Sequence, residues 1–462
     1  MGLVLVLAFS LLTVVTSLRD TGDATAHNSC TESFQEHWQQ PNDSAIRLAI
    51  HHAHGPCSPL SSSPLPASVI LERDQARVKI LNHRLIHNQT TVSTKSTGKL
   101  KAKSVGIPLT PGNSVGVGNY VIKLGIGSPP KPYVMVFDTG SSFTWIQCEP
   151  CIVQCHSQVG ALFNPKASVT YKTVSCNSLD CSSLQAATLN PSSCSRSNLC
   201  IYVASYGDGS YSMGYLSRDT LTVGSAQTLP GFLYGCGQDN EGLFGRAAGL
   251  VGLARNKFSL LAQLSSKYGY VFSYCLPTST STGMLSIGHM GYNPSLYTYT
   301  RMYTDSRDPA LYFLRLASIT VEGKALPVST ATYVRTPTII DSGTVITRLP
   351  QAVYSALQTA FVRAMSMHTR APPYSILDTC FKGSAAGLSV PEVRIVFEGG
   401  SGLKLGARNL LFDVSNGVTC LAFAAPSGAN GVAIIGNHQQ LTFGVVYDVT
   451  NSRIGFAAGG CR

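Results

Sequence analysis

Apolar residues in this chain come in short runs broken by Gly, Pro, Asn and Ser, the pattern of strands joined by turns. One run is Tyr120-Val121-Ile122-Lys123-Leu124-Gly125-Ile126-Gly127, closed by a turn at Ser128-Pro129-Pro130-Lys131-Pro132. The next, Tyr133-Val134-Met135-Val136-Phe137, is continuous rather than alternating and leads straight into Asp138. A continuous run suits a strand buried on both faces. Similar short strands are predicted to the C-terminus. Helical spacing is rare. Leu71, Val78 and Leu81 fall on one side of a helix within 71–81, and Ala352 to Met367 is the strongest helix. The pattern predicts an all-β fold with minor helices.

The first hundred residues read differently. Leu3 to Val15 is an apolar run of secretory length, too short to cross a bilayer, with small residues after it at Val15-Thr16-Ser17. It predicts a signal peptide over 1–17, although no basic residue precedes the run; a buried strand or membrane anchor is the alternative. No hydrophobic tail follows Gly459-Gly460-Cys461-Arg462, so no lipid anchor is expected there. Residues 18–105 hold 7 of the 11 His and two glycosylation candidates, Asn42 and Asn88. They end in a polar stretch carrying Lys95, Lys99, Lys101 and Lys103, which reads as an exposed, cleavable linker. A prosegment is predicted over 18–105, with a disordered extension as the alternative.

Composition sharpens this. A chain of 462 residues suggests two or three units. Only 12% of residues are charged, and mean hydropathy is +0.13. The net charge of +11 is spread thinly, with 24 Lys and Arg against 16 Asp and Glu from Gly106 onward. No basic helix or aromatic-interleaved patch marks a nucleic-acid partner. Of 14 Cys, 12 lie between Cys148 and Cys461, and an even set in an exported chain predicts disulfides. Cys30 and Cys57 stand apart and are expected to pair with each other. Cys148, Cys151, Cys155 and His156 have zinc-like spacing, but no second such cluster completes a site. No metal and no cofactor is predicted.

Two repeated elements carry the chemistry. Val136-Phe137-Asp138-Thr139-Gly140-Ser141-Ser142 recurs in variant form 203 residues later as Ile339-Ile340-Asp341-Ser342-Gly343-Thr344. Each is followed by a second element, Ala248-Gly249-Leu250-Val251-Gly252-Leu253 in one case and Val432-Ala433-Ile434-Ile435-Gly436-Asn437 in the other. Two pairs in one order predict a duplication: two related β lobes, over 106–300 and 301–462, with the active-site cleft between them. An Asp ending a buried strand needs compensation. Gly140 and Gly343 allow tight turns, and the hydroxyls of Ser141 and Thr344 hydrogen-bond a carboxylate. If the loops meet, two carboxyls share one site and one proton. One then acts as base toward a water and the other as acid toward a carbonyl oxygen.

At this point the chain resembles the pepsin-like aspartic proteases, in their plant nepenthesin-type branch, from about Gly106 to Arg462. Asp138 and Asp341 match the catalytic aspartates. Trp145 and Tyr206-Gly207-Asp208-Gly209-Ser210 match the flap: Tyr206 is implied to close over substrate with Gly207, supported by Trp145. Seven Cys from Cys148 to Cys200 resemble the branch's cysteine-rich insert. The resemblance implies the pairs Cys148–Cys151, Cys155–Cys236, Cys176–Cys200, Cys181–Cys194, Cys275–Cys461 and Cys380–Cys420. It further implies a secreted, monomeric endopeptidase of the apoplast or cell wall, made as a zymogen, acting on polypeptides at acid pH and sensitive to pepstatin-type inhibitors. Ser142 departs from the branch, where Asp is common, and the saposin-like insert of vacuolar relatives is absent. A silent inhibitor on the same scaffold and a nucleic-acid-binding relative are the competing readings. Lys99, Lys101 and Lys103 are expected to pair with the catalytic carboxylates and block the cleft. Charging of the seven prosegment His below about pH 6.5 is expected to loosen it.

Overall fold

The computed structural model describes residues 45–60, 65–87, 120–206, 210–224, 227–242, 244–289, 292–426 and 431–460. Strands dominate, as the alternation of apolar runs and turns requires. Strand β2 (Tyr120–Ile126) pairs antiparallel with β3 (Lys131–Asp138), whose last six residues are all buried. The second repeated element lies alongside the first. Strand Gly249–Gly252 runs parallel to β3, with Gly252 opposite Asp138. In the other half, Ala433–Ile435 runs parallel to Thr338–Ile340, with Ile435 opposite Ile340. Each Asp therefore ends a strand flanked by a parallel partner, which explains why both runs are continuously apolar. Strand β4 (Trp145–Gln147) pairs with Gly249–Gly252 on one side and with the long strand Gln227–Glu241 on the other.

The two halves share sheet structure. A fifteen-stranded sheet takes in most of the first half and continues through Val271–Cys275, Gly444–Asp448 and Arg453–Ala457. The second half adds a five-stranded sheet around Asp341 and two four-stranded sheets. Helices are few, in keeping with the all-β expectation. The longest in this half, Gln351–Ala364, falls within a residue or three of the predicted span and buries Val353, Tyr354, Leu357 and Phe361 along one side.

Residues before 106 are built into this frame. Strand β1 (Ile46–His52) inserts between Thr282–Ile287 and β2, running antiparallel to both. Helix α1 (Ala67–His87) follows. Its buried face carries Leu71, Val78 and Leu81, as the spacing predicts, then Leu85 beyond the predicted span, and on the same stripe Asp74 and Arg77. Each of the four aliphatic side chains contributes roughly 1.5–3 kcal/mol by leaving water.

The disulfide network differs from the expectation in the cysteine-rich insert. Cys148 pairs with Cys236, and Cys151 with Cys155. Cys176 pairs with Cys194, and Cys181 with Cys200. The expected Cys148–Cys151, Cys155–Cys236, Cys176–Cys200 and Cys181–Cys194 pairs are therefore corrected. The reason is sheet register. The Cys148 N–H donates to the Gly237 carbonyl beside Cys236, bringing the two Cα atoms to 5.4 Å. Cys181 and Cys200 are both buried, whereas Cys194 points outward at the sheet margin near Cys176. Cys380–Cys420 forms as expected, its residues opposite each other in a ladder. Cys275 and Cys57 are also disulfide-bonded; Cys461 and Cys30, expected as their partners, lie outside the described residues. Non-reducing peptide mapping of the folded protein should recover a Cys148–Cys236 cross-link; a Cys148–Cys151 loop would overturn this register.

Candidate active site

The two Asp loops meet at the junction of the halves, and their contacts mirror each other. In the first, the Gly140 N–H donates to Asp138 Oδ1 at 2.9 Å, and the Ser141 hydroxyl donates to Asp138 Oδ2. In the second, the Gly343 N–H donates to Asp341 Oδ1 at 3.1 Å, and the Thr344 hydroxyl to Asp341 Oδ2 at 2.6 Å. Both carboxylates are almost wholly buried, so each depends on these donors to replace water. The predicted support residues Gly140, Ser141, Gly343 and Thr344 are thus brought together with the dyad.

A second layer of contacts joins the loops to each other. The Thr139 N–H donates to Ser342 Oγ at 3.1 Å, and the Ser342 N–H donates to Thr139 Oγ1 at 2.9 Å. The Thr139 hydroxyl also lies 3.5 Å from Asp341 Oδ1. Each loop thereby satisfies a buried backbone donor of the other. Sequence reasoning assigned roles to the hydroxyls after the glycines and missed these two, although both stood in the repeated motif.

Arg77 of α1 occupies the centre of the site. Its Nη2 lies 2.7 Å from Asp138 Oδ1 and 3.0 Å from Asp341 Oδ1, its Nη1 3.1 Å from Asp138 Oδ2, and its Nε 2.8 Å from Asp341 Oδ2. One planar guanidinium so serves both carboxylates, a geometry that an ammonium lacks. The glycines make room for it. A Cβ at Gly140 would lie 2.3 Å from Arg77 Nη2, and one at Gly343 would lie 2.4 Å from Arg77 Cζ and 2.6 Å from Asp138 Oδ1. Burial by itself would raise the Asp341 carboxyl, but the Arg77 charge and hydrogen bonds, with Thr344 and Gly343, outweigh it and hold the group below the usual carboxylate range. Burial opposes the charge on Arg77 in turn, and the two carboxylates more than restore it. Lys99, Lys101 and Lys103, expected to fill this role, lie outside the described residues.

Further polar residues of α1 fasten it along the cleft. Asp74 accepts hydrogen bonds from the Val345 N–H and, at 3.3 Å, from the Ile346 N–H, and pairs with Arg348 at 2.8 Å. Arg84 pairs with Asp308 at 2.6 Å and donates to the Gly140 carbonyl at 2.9 Å. Asn82 accepts from the Val432 N–H at 2.9 Å. Sequence reasoning does not reach these residues because their partners lie from 56 to 350 positions away. The signal that could have found them is local: Asp74 and Arg77 sit on the apolar stripe of α1, where uncompensated charge is costly.

Trp145 and Tyr206, the expected lid support and lid, lie in contact. Trp145 is buried and its Nε1–H donates to the Tyr206 hydroxyl at 2.7 Å. Both rings pack against Phe244, at 4.7 Å and 5.7 Å between centroids. Beside Tyr206, a pocket lined by Phe143, Leu189 and Ala204 faces Ile80 and Leu81 of α1. Gly207 lies outside the described residues, as do Asn42 and Asn88. Ser142 is buried beside the first Asp loop. Cys148, Cys151 and Cys155 are all committed to disulfides, and His156 Nε2 contacts the Ala247 carbonyl at 2.8 Å. Among the described residues no helix is long and apolar enough to cross a membrane.

Residues 120–289 match the family described as xylanase inhibitor N-terminal, and 311–458 its C-terminal counterpart. An aspartyl protease family protein of Arabidopsis thaliana is 40% identical over 428 residues, covering 91% of this chain and 89% of its own length. With two mirrored Asp loops closing one site, the chain belongs to the pepsin-like aspartic protease family. Its place is in the nepenthesin-type branch: aspartic proteinase nepenthesin-2 of Nepenthes gracilis is 36% identical over 357 residues, covering 75% of this chain and 78% of its own. The fold is also that of basic 7S globulin from soybean, with TM-score 0.59 and 24% identity over 74% of this chain and 91% of that one.

Replacing Thr139 with Val leaves the buried Ser342 N–H without an acceptor. Its expected cost is about 1–3 kcal/mol of stability, read as a lower denaturant midpoint at unchanged slope. An unchanged midpoint would show that the exchange between loops carries no stability.

Proposed function

We propose that the chain is a secreted aspartic endopeptidase made as a zymogen, with residues 18–105 as its prosegment. The observation that carries this reading is the Arg77 guanidinium held between Asp138 and Asp341. The dyad is complete and its supporting donors are in place, but the position a water and a peptide carbonyl would take is filled by the chain's own side chain.

With α1 withdrawn, Asp138 and Asp341 lose their shared cation and cannot both remain ionised at close quarters. One proton is then held between them. The ionised carboxylate takes a proton from a water, whose oxygen attacks the peptide carbonyl carbon. The protonated carboxyl gives its proton to the carbonyl oxygen, forming a neutral gem-diol. The carboxyl that took the water proton then gives it to the amide nitrogen while the other carboxylate takes a gem-diol hydroxyl proton, and the C–N bond breaks to leave a carboxylic acid and an amine. Ser141 and Thr344 keep each carboxylate plane in position, and Tyr206 closes over the substrate. The substrates are polypeptides, and a pepstatin-type inhibitor competes for the same site.

Acid pH favours release of the prosegment through groups that differ in sign. Asp341 is held low while docked, so the Arg77 contact is fully favourable above about pH 4 and is lost as pH falls through the lowered value. His51 and His52 on β1 are lowered to about 4, His51 by burial and the Lys123 charge, His52 by burial and the neighbouring His54. They dock neutral, so docking weakens as pH falls from about 6.5 toward 4. Burial rather than mutual repulsion is therefore the main cause behind the expected histidine effect. Asp74 works in the opposite direction: burial raises its carboxyl despite Arg348 and the two N–H donors, so acid favours its docked form.

Purified full-length precursor should stay intact at neutral pH and mature below about pH 5, giving pepstatin-sensitive cleavage of a protein mixture. The Asp341→Ala precursor should not mature; maturation as fast as wild type would rule out self-processing. Absence of pepstatin-sensitive cleavage across the acid range would favour an inhibitor on the same scaffold. Replacing His51 and His52 together with Gln should move the maturation midpoint to lower pH, and an unmoved midpoint would remove the histidines from the switch.

A further inference from the structure

Arg348 is wholly buried, yet among the described residues its charge is matched only from the N-terminal segment. Its Nη2 contacts Asp74 Oδ2 at 2.8 Å and Gln75 Oε1 at 3.0 Å, both on α1. Its Nη1 donates to the Ile346 carbonyl at 2.7 Å. Its Nε is buried with no hydrogen-bond partner among the described residues. Asp74 is likewise the only acidic group ion-paired with Arg348 among the described residues. The same Asp74 carboxylate is held by the Val345 and Ile346 N–H groups. Three donors of the protease body thus converge on one carboxylate that the body does not own.

When α1 departs, this cradle stays behind. The Ile346 carbonyl is fixed in the loop after Asp341, so Arg348 keeps its orientation but loses its counter-charge. A guanidinium does not deprotonate, and an unpaired buried one is strongly unfavourable. The body then carries a preformed site for an anion, in which the Val345 and Ile346 N–H groups address the two carboxylate oxygens and Arg348 Nη2 adds its charge. Its position along the cleft follows from the helix. Asp74 precedes Arg77 by three residues, about 4.5 Å along the axis, which corresponds to one or two residues of an extended peptide.

We propose that Val345, Ile346 and Arg348 form a substrate subsite that selects an acidic side chain one or two residues from the scissile bond, with Asp74 as its internal mimic. The proposal rests on the protease reading above. The prosegment then does more than cover the dyad: its Asp74 and Arg77 occupy the specificity site and the catalytic site together. Arg348 acts by binding substrate and takes no part in proton transfer.

The test uses mature enzyme and peptides amidated at the C-terminus, so that a side chain supplies the only carboxylate. Pairs differing only in Glu against Gln are scanned through each position near the cut at about pH 5, where Glu is largely ionised. At one position the Glu peptide should be cleaved with kcat/KM about tenfold higher, as one charge-assisted hydrogen-bonded contact provides, the gain lying mainly in KM. In Arg348→Gln the Glu-to-Gln ratio at that position should fall to about one. Should that variant fail to fold as a precursor, Asp74→Asn with Arg348→Gln restores a neutral hydrogen-bonded pair for folding, and its mature form is read the same way. Pepstatin-sensitive cleavage with a flat ratio at every position, or a ratio that survives loss of Arg348, overturns the subsite and leaves the protease reading standing. No pepstatin-sensitive cleavage of any peptide overturns both.

Discussion

Two carboxylates buried in one site are the constraint around which this molecule is arranged. Like charges at such range cannot both persist without a cation or a shared proton. Here the cation is Arg77, and its planar geometry lets one group answer both aspartates. Nearly every nearby choice follows from that packing. Gly140 and Gly343 have no Cβ because one would strike the guanidinium. Ser141 and Thr344 donate to the two Oδ2 atoms, which Arg77 reaches through Nη1 and Nε. Thr139 and Ser342 hold the two loops in register by exchanging hydrogen bonds. The symmetry of the repeated motif thus produces a symmetric cage, and one asymmetric side chain fills it.

Helix α1 is held by a combination of forces with different ranges and pH behaviour. Its aliphatic stripe supplies burial that no change of pH affects. Its ionic contacts include the pairs of Arg77 with Asp138 and Asp341, of Arg84 with Asp308 and of Asp74 with Arg348. Buried ion pairs add little net stability over apolar replacements, but breaking one is costly because a charge is stranded. That asymmetry fixes the register in which α1 docks. Strand β1 adds sheet hydrogen bonds at the opposite end of the segment, between Thr282–Ile287 and β2. The rest of the chain therefore meets this segment both at a sheet and through the ion pairs of α1.

The insert between β4 and the strand Cys200–Ser205 illustrates a separate constraint. Its cysteines are close enough in sequence that several pairings are possible, and only packing selects among them. Cys148 is drawn to Cys236 by the parallel ladder of β4 with Gln227–Glu241. Cys181 joins Cys200 because both face the interior. The resulting links tie the insert to the same sheet that positions Trp145, and Trp145 in turn holds Tyr206.

The sequence by itself determined the strand character, the duplication and the dyad. These are local or repeated features: a continuous apolar run ending in Asp, a Gly that permits the turn, a hydroxyl within reach. It also placed Trp145 and Tyr206, and the stripe of Leu71, Val78 and Leu81 on a helix. What only the tertiary structure decided involves partners distant in the chain. Arg77 meets Asp341 across 264 residues, Asp74 meets Val345 across 271, and Thr139 meets Ser342 across 203. Spacing along a chain carries no information about which distant charge will fill a site, because that depends on how two lobes and a helix pack. The charged residues on the stripe of α1 were visible in the sequence, but their purpose appeared only when the opposite surface was in place.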